Sequence, residues 1–320
     1  MEGAGMKLGV ITSGGDAPGM NPCLAQIIRE GQKRGHEIIG FEGGFRGIAE
    51  NRCRKLSPEE VTLWYQRGGT CIKTGRFPEL EKESAQKKVA EQLRAHRIEG
   101  LLVLGGDGSF KGALAVHRIF PELNIIGIPC TIDNNVYGSD YTLGFDTALN
   151  TQTTYLDGLM DTGESLDGRV FFIETLGAYD GYLAQSTYLM GMAEFAVLDE
   201  MPMEEEEIIR KVLQAREEKR SGSIYVMFSE SDGKHRCLRI ADVIRDRYNI
   251  NIKCSILGFS QRGNAPTARD RLMASGFADR AIRAMETGVK NQYIVYRKGE
   301  FQYMDISNAS KKKVFDWHHI

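Results

Sequence analysis

The chain has 320 residues, 42% apolar and 26% charged, a globular composition with a length suited to two domains at roughly 100–200 residues each. Forty-one basic against 43 acidic residues leave a net charge of −2, so no global field draws nucleic acid or an anionic membrane, and any anion site must be local. The six cysteines (Cys23, Cys53, Cys71, Cys130, Cys237 and Cys254) contain no C-x-x-C pair, which argues against a zinc knuckle or a disulfide framework and for a reducing cytoplasm.

The start of the chain lacks the long apolar stretch of a signal peptide, and no later run approaches the ~18 apolar residues of a membrane span. A soluble, cytoplasmic protein is expected. Short apolar runs ending at glycine or proline recur at 8–11, 38–41, 101–104 and 125–128, each reading as a strand buried on both faces that feeds a loop at its carboxyl end. Helical stretches at 21–34 and 83–96 lie between them. This alternation predicts a parallel sheet with helices on both faces and ligands at the carboxyl ends of the strands. A second α/β series follows, with strands at 170–173 and 224–228 and a helix at about 204–219 whose acidic first turn reads as a solvated face. Lys311, Lys312 and Lys313 receive the same reading. There is no repeat and no low-complexity linker.

The loop T-S-G-G-D-A-P-G-M-N (12–21) joins strand to helix with three glycines, which suits close approach of backbone N–H groups to phosphate or, equally, a tight turn. G-G-D-G-S (105–109) adds a carboxylate: Asp107 is a candidate Mg²⁺ ligand, because magnesium takes one or two carboxylates plus substrate oxygens, or it caps the next helix. In P-C-T-I-D-N-N (129–135) an extended segment would put Thr131 and Asp133 on one side, as a phosphoryl acceptor and its base require. Arg76 and Arg262 stand next to glycines in loops, as phosphate ligands or as surface residues.

In order, T-S-G-G-D-A-P-G-M-N, R-G-G-T, G-R-F-P-E, G-G-D-G-S, T-I-D-N and L-G-x-x-Q-R-G resemble the bacterial ATP-dependent 6-phosphofructokinase family from Met6 to about Trp317. The resemblance implies two Rossmann-like three-layer α/β/α domains with mostly parallel sheets and an active site in the cleft between them. The first would comprise residues 1–145 plus about 260–308 and bind ATP; the second, 146–259 plus about 309–320, would bind sugar phosphate. It also implies that Gly14, Arg76, Phe77, Gly106, Asp107, Gly108 and Ser109 bind ATP, with Asp107 at the Mg²⁺. Asp133 would take the proton of the 1-hydroxyl, Thr131 would place the acceptor, and Arg76 would neutralise the moving phosphoryl group. Leu176, Gly177, Ala178, Arg169, Glu230, Lys253 and Arg262 would hold fructose 6-phosphate. Relatives are tetramers in which a neighbouring subunit supplies part of the 6-phosphate grip, so Arg169 is expected to act in trans.

Relatives that use pyrophosphate carry Asp in place of Gly108 and Lys in place of Cys130, which favours ATP here. Four positions depart from the family: Asn135 replaces an aspartate, Ala178 and Lys253 replace arginines, and Phe259 replaces a histidine. Lysine keeps charge without the bidentate fork, and Phe259 offers no polar donor, so a weaker 6-phosphate grip is expected. Losing the donor at Ala178 corresponds to roughly 100- to 1,000-fold in rate. The departures leave two alternatives open, a kinase with another sugar, sugar-phosphate or nucleoside acceptor and a non-catalytic regulatory paralogue. Arg29 and Arg52 match the family's regulatory site, but Ala25, Gly158, Ser221 and Gly222 replace other members of it. Control by ADP and phosphoenolpyruvate is therefore not expected.

Overall fold

The computed structural model describes residues 5–166, 168–177, 180–219, 222–231 and 235–314. Ala178 and Ser221 lie outside the described residues. In chain order the first unit contains β1 (Lys7–Thr12), α1 (Met20–Lys33), β2 (Glu37–Phe41), α2 (Gly44–Ala49), β3 (Cys53–Lys55), α3 (Pro58–Trp64), α4 (Glu83–Ala95), β4 (Gly100–Gly105), α5 (Asp107–Ile119), β5 (Asn124–Thr131) and β6 (Leu143–Gly144). Then follow α6 (Phe145–Glu164), β7 (Val170–Thr175), α7 (Tyr182–Leu189), β8 (Phe195–Val197), α8 (Glu205–Glu218), β9 (Ile224–Ser229), α9 (Arg236–Tyr248) and β10 (Ile252–Ile256). The chain ends with α10 (Ala268–Glu286), β11 (Gln292–Arg297) and β12 (Glu300–Asp305). The apolar runs read from the sequence are the central strands, and the three expected helices are α1, α4 and α8.

Two compact units result, one spanning 147–261 and the other the rest of the chain. The first unit's sheet runs β12-β11-β5-β4-β1-β2-β3, parallel through its middle, with antiparallel pairs at both edges. Because side chains alternate across a strand, Leu101 and Val103 pack with Val89, Leu93, Phe110 and Val116 of α4 and α5 on one face. Leu102 and Leu104, also fully buried, point to the opposite face. Residues 309–314, assigned from sequence to the second unit, stay with the first: Ile306 and Ala309 are buried in its core, and the 3₁₀ turn Ile306–Ser310 packs on α5. In the second unit the sheet β10-β7-β9-β8 is parallel throughout. Val170, Phe172, Val226 and Phe228 meet Ile208, Ile209, Cys237 and Ile240 of α8 and α9.

Gly127 on β5 shows why one strand position admits no side chain. A Cβ there would lie 2.6 Å from Phe110 Cε1 and 2.8 Å from Tyr293 Cβ, and those rings stack with centroids 5.1 Å apart. Gly127→Ala should therefore destabilise the first unit by about 1–3 kcal/mol, the usual cost of overpacking. Urea unfolding reads this directly, and an unchanged midpoint would mean that the ring pair shifts without penalty.

Candidate active site

The parallel register Thr12↔Leu104 and Gly105↔Pro129 makes β1, β4 and β5 end side by side, so their following loops emerge together at the carboxyl end of the first unit's sheet. Hydrogen bonds stitch these loops. Ser13 N–H donates to Leu104 O (2.9 Å), Gly14 N–H to Gly75 O (3.2 Å), Thr74 Oγ1 to Gly14 O (3.0 Å) and Thr12 Oγ1 to Lys73 O (2.8 Å). They carry Arg76 and Phe77 to the first loop. Arg76 is exposed, whereas Phe77 is half-buried against the core beneath the Arg46 guanidinium, 5.6 Å from its ring centre.

Glycine is required where these loops converge. Gly14 has φ +84°, and a Cβ at Gly105 would meet Ser109 Oγ at 2.5 Å and Ser13 O at 2.6 Å. At Gly15 a Cβ would fall on the Arg262 guanidinium, so the Arg262 side chain lies across the first loop. A Cβ at Gly108 would meet nothing within 4 Å, which leaves open space beside Asp107.

Asp107 is not a helix cap. It is the first residue of α5, after Gly106, and its Oδ2 lies 2.7 Å from Lys111 Nζ. Both side chains are about half exposed, so this ion pair is weak and easily exchanged. Among the described residues no group of three or more His, Cys, Asp or Glu is arranged to hold a metal ion. Magnesium needs no such cage when phosphate oxygens complete its shell, and a single half-exposed carboxylate in the first turn of a helix suits that mode.

Thr131 and Asp133 do share a side, but the extended segment expected there is replaced by a turn. β5 stops at Thr131; Asp133 N–H donates to Thr131 Oγ1 (3.2 Å), whose hydroxyl donates to Asp133 Oδ2 (3.4 Å). The turn closes on Asn134, at φ +49° and buried, which donates to Asp140 O (3.2 Å). Lys313, read from sequence as part of a solvated run, instead donates to Asn134 O (2.7 Å), because the chain returns over this unit. Gly106 faces Thr131, its Cβ position 3.8 Å from Thr131 Cβ. The first unit thus brings together Gly14, Arg76, Phe77, Gly106, Asp107, Gly108, Ser109, Thr131, Asp133 and Arg262.

Sequence reasoning missed what holds this turn. Asp270, fully buried in the first turn of α10, accepts from Tyr141 Oη (2.6 Å) and from Gly144 N–H (2.8 Å). Gly144 is the β6 residue paired with Thr131, and Thr142 Oγ1 donates to Thr131 O (2.6 Å). Burial first, and then the Asp270 carboxylate, push the Tyr141 hydroxyl well above its ordinary pKa, so it remains a donor. The pattern T-x-x-D at 267–270 marks a helix start, with Thr267 Oγ1 accepting from Asp270 N–H, but says nothing of what the aspartate meets.

In the second unit the expected residues fall at two ends of one sheet. Leu176 and Gly177 follow β7, and Glu230 follows β9, with Glu230 N–H on Thr175 O (2.8 Å). A buried amide chain sets that loop: Leu176 N–H donates to Gln261 Oε1 (2.7 Å), Gln261 Nε2 to Gln152 Oε1 (2.9 Å), and Gln152 Nε2 to Thr187 Oγ1. Arg169 precedes β7 at its opposite end, about 20 Å away at ~3.3 Å per residue, and Lys253 pairs near that end with Phe171. Lys253 is exposed, and Phe259 is 80% exposed. One copy of this unit does not gather Arg169 and Lys253 with Leu176, Gly177 and Glu230.

The family model described as Phosphofructokinase matches residues 7–285. The chain belongs to the phosphofructokinase family. It is similar to the ATP-dependent 6-phosphofructokinase 1 of Thermus thermophilus, 35% identical over 307 residues and covering 96% of this chain and 94% of that one. The ATP-dependent 6-phosphofructokinase of Coxiella burnetii is 37% identical over 295 residues, 92% of this chain and 89% of its own. Among solved structures, Pichia pastoris phosphofructokinase in the T-state superposes with a TM-score of 0.88 at 26% identity, covering 96% of this chain. This chain spans 35% of that yeast chain. A pyrophosphate-dependent phosphofructokinase of Marinobacter aquaeolei, at TM-score 0.84 and 19% identity over 98% of this chain and 86% of that one, shares the phosphofructokinase fold.

Proposed function

We propose that this phosphofructokinase-family chain is an ATP-dependent 6-phosphofructokinase of the cytoplasm, transferring the γ-phosphoryl group of Mg-ATP to the 1-hydroxyl of fructose 6-phosphate in glycolysis. The observation that carries this reading is the convergence of the Asp107 loop, the glycine-lined first loop and the Thr131–Asp133 turn at one sheet end of the first unit. Asp133 accepts the proton of the acceptor hydroxyl as that oxygen bonds to the γ-phosphorus and ADP leaves. Thr131 orients the acceptor, and Arg76 offsets charge on the phosphoryl oxygens. Asp107 would hold magnesium, which would offset the negative charge of the phosphate groups brought to this loop. ATP rather than pyrophosphate is supported by Gly108, where the side chain of an aspartate would place a second negative charge in the open space beside Asp107.

On the acceptor side, Leu176, Gly177, Glu230 and Arg262 serve the copy that carries them. Arg169 and Lys253, at the other end of β7, serve a neighbouring subunit in a homotetramer. Exposed Tyr188, Leu189 and Met190 at the end of α7, with Ile256 and Phe259, support association between copies. Among the described residues no helix is long and apolar enough to cross a membrane.

The test is product formation by the purified chain with ATP, Mg²⁺ and fructose 6-phosphate, followed by ³¹P NMR, beside parallel reactions with pyrophosphate and with other sugars and nucleosides. Fructose 1,6-bisphosphate formed fastest from ATP is the expected result. A better acceptor among the alternatives would replace fructose 6-phosphate, a reading favoured by Lys253 and Phe259 at family arginine and histidine positions. No phosphorylated product from any pair would end the kinase proposal and leave a regulatory subunit.

A further inference from the structure

Away from these loops, the second unit buries a group of reactive side chains with no part in the proposed chemistry. Glu174 on β7 is 2% exposed, a poor place for a carboxylate unless both oxygens are engaged. His235 Nδ1 lies 2.6 Å from Oε1, and the Cys237 thiol donates to Oε2 at 3.3 Å. Cys237 is fully buried in the first turn of α9, which packs along β10. From β10, the half-buried Cys254 points its sulfur at Cys237, its Sγ donating to the Cys237 carbonyl oxygen at 3.8 Å.

We propose that Cys237 and Cys254 form a dithiol site, oxidised by low-molecular-weight disulfides to an intramolecular Cys237–Cys254 disulfide, with Glu174 as the base for the buried thiol. Cys254 is the attacking sulfur, being the more accessible of the two. Proximity to the Cys237 thiol holds Cys254 below the ordinary pKa, whereas the Cys254 sulfur beside it, burial and the Glu174 carboxylate push Cys237 up. In the first step the Cys254 thiolate bonds to one sulfur of RSSR and RS⁻ leaves, giving Cys254–S–SR. In the second, Cys237 loses its proton to Glu174 Oε2, its sulfur bonds to Cys254 Sγ, and a second RS⁻ leaves. Two thiols are oxidised as one external disulfide is reduced to two thiols. The proton has a way out through His235, whose side chain is 42% exposed.

The consequence is local to β10 and β7. Cys254 is flanked by Lys253, and Glu174 precedes Thr175 and the Leu176–Gly177 loop, with Leu257 N–H on Glu174 O (2.9 Å). A covalent tie from α9 to β10 would fix the edge strand that carries Lys253. All six cysteines are free thiols, and a disulfide formed between two of them in a reducing compartment would be transient rather than structural. The proposal stands whether or not fructose 6-phosphate is the acceptor.

The experiment is incubation of the full chain with oxidised glutathione, followed by non-reducing peptide mapping and mass spectrometry. The wild type should lose two hydrogens and yield one cross-linked pair of peptides containing Cys237 and Cys254, reversed by dithiothreitol. Cys237→Ser should stop at a stable glutathione adduct on Cys254, and Cys254→Ser should form neither adduct nor cross-link at Cys237. Serine keeps the size of the side chain, so circular dichroism of both variants should match the wild type. The proposal is overturned if wild-type Cys254 keeps its glutathione adduct without closing, or if both cysteines remain fully alkylatable after oxidant treatment.

Discussion

Asp133→Asn should lower kcat by roughly 100- to 10,000-fold, the range spanned by a positioned general base, with little change in KM for ATP. The asparagine keeps the size of the side chain and the backbone N–H that donates to Thr131 Oγ1 (3.2 Å), so the turn closed by Asn134 should persist. What disappears is the carboxylate proposed to take the proton of the acceptor hydroxyl. The loops after β1 and β4, proposed to bind ATP, are held by bonds that do not involve position 133, such as Ser13 N–H to Leu104 O and Gly14 N–H to Gly75 O. Steady-state kinetics beside thermal melting separates the outcomes. Turnover within tenfold of wild type would remove Asp133 from the base role, and a lowered melting temperature would assign the loss to folding.

Asp270→Ala is the larger structural change. It deprives two buried donors, Tyr141 Oη and the Gly144 N–H, of their acceptor. An orphaned buried group costs about 1–3 kcal/mol, so the first unit should lose about 2–6 kcal/mol. Asp270→Asn, which retains an acceptor oxygen, should lose much less, and Tyr141→Phe should fall between them. Because Gly144 pairs with Thr131, kcat of the folded fraction of Asp270→Ala should fall more than KM for ATP rises. Urea unfolding gives the stability order; equal midpoints for wild type and Asp270→Ala would show that water replaces the carboxylate.

Gly14, Asp107, Thr131 and Asp133 sit in contiguous motifs, each at the end of a buried apolar run, and a strand followed by glycine forecasts both the element and the exit of its loop. The acceptor side was legible as residue types but not as places. Arg169 and Glu230 lie one residue beyond β7 and β9, yet at opposite ends of the sheet. That difference depends on the parallel pairing of β7 with β9, which places the residue before one strand at the end of the sheet opposite the residue after the other.

Read alone, the chain determines its central strands, the helices α1, α4 and α8, and the two glycine-bearing loops at 12–21 and 105–109, because apolar period, backbone preference and glycine's conformational freedom act within a few residues. Only the folded structure decides which buried polar groups meet. Tyr141 finds Asp270 across 129 positions, Lys313 reaches Asn134 across 179, and Cys237 meets Glu174 across 63. No local spacing encodes such pairs. They form because a buried donor or acceptor left alone is costly, and the partner is whichever group the packing of sheet and helices brings within reach.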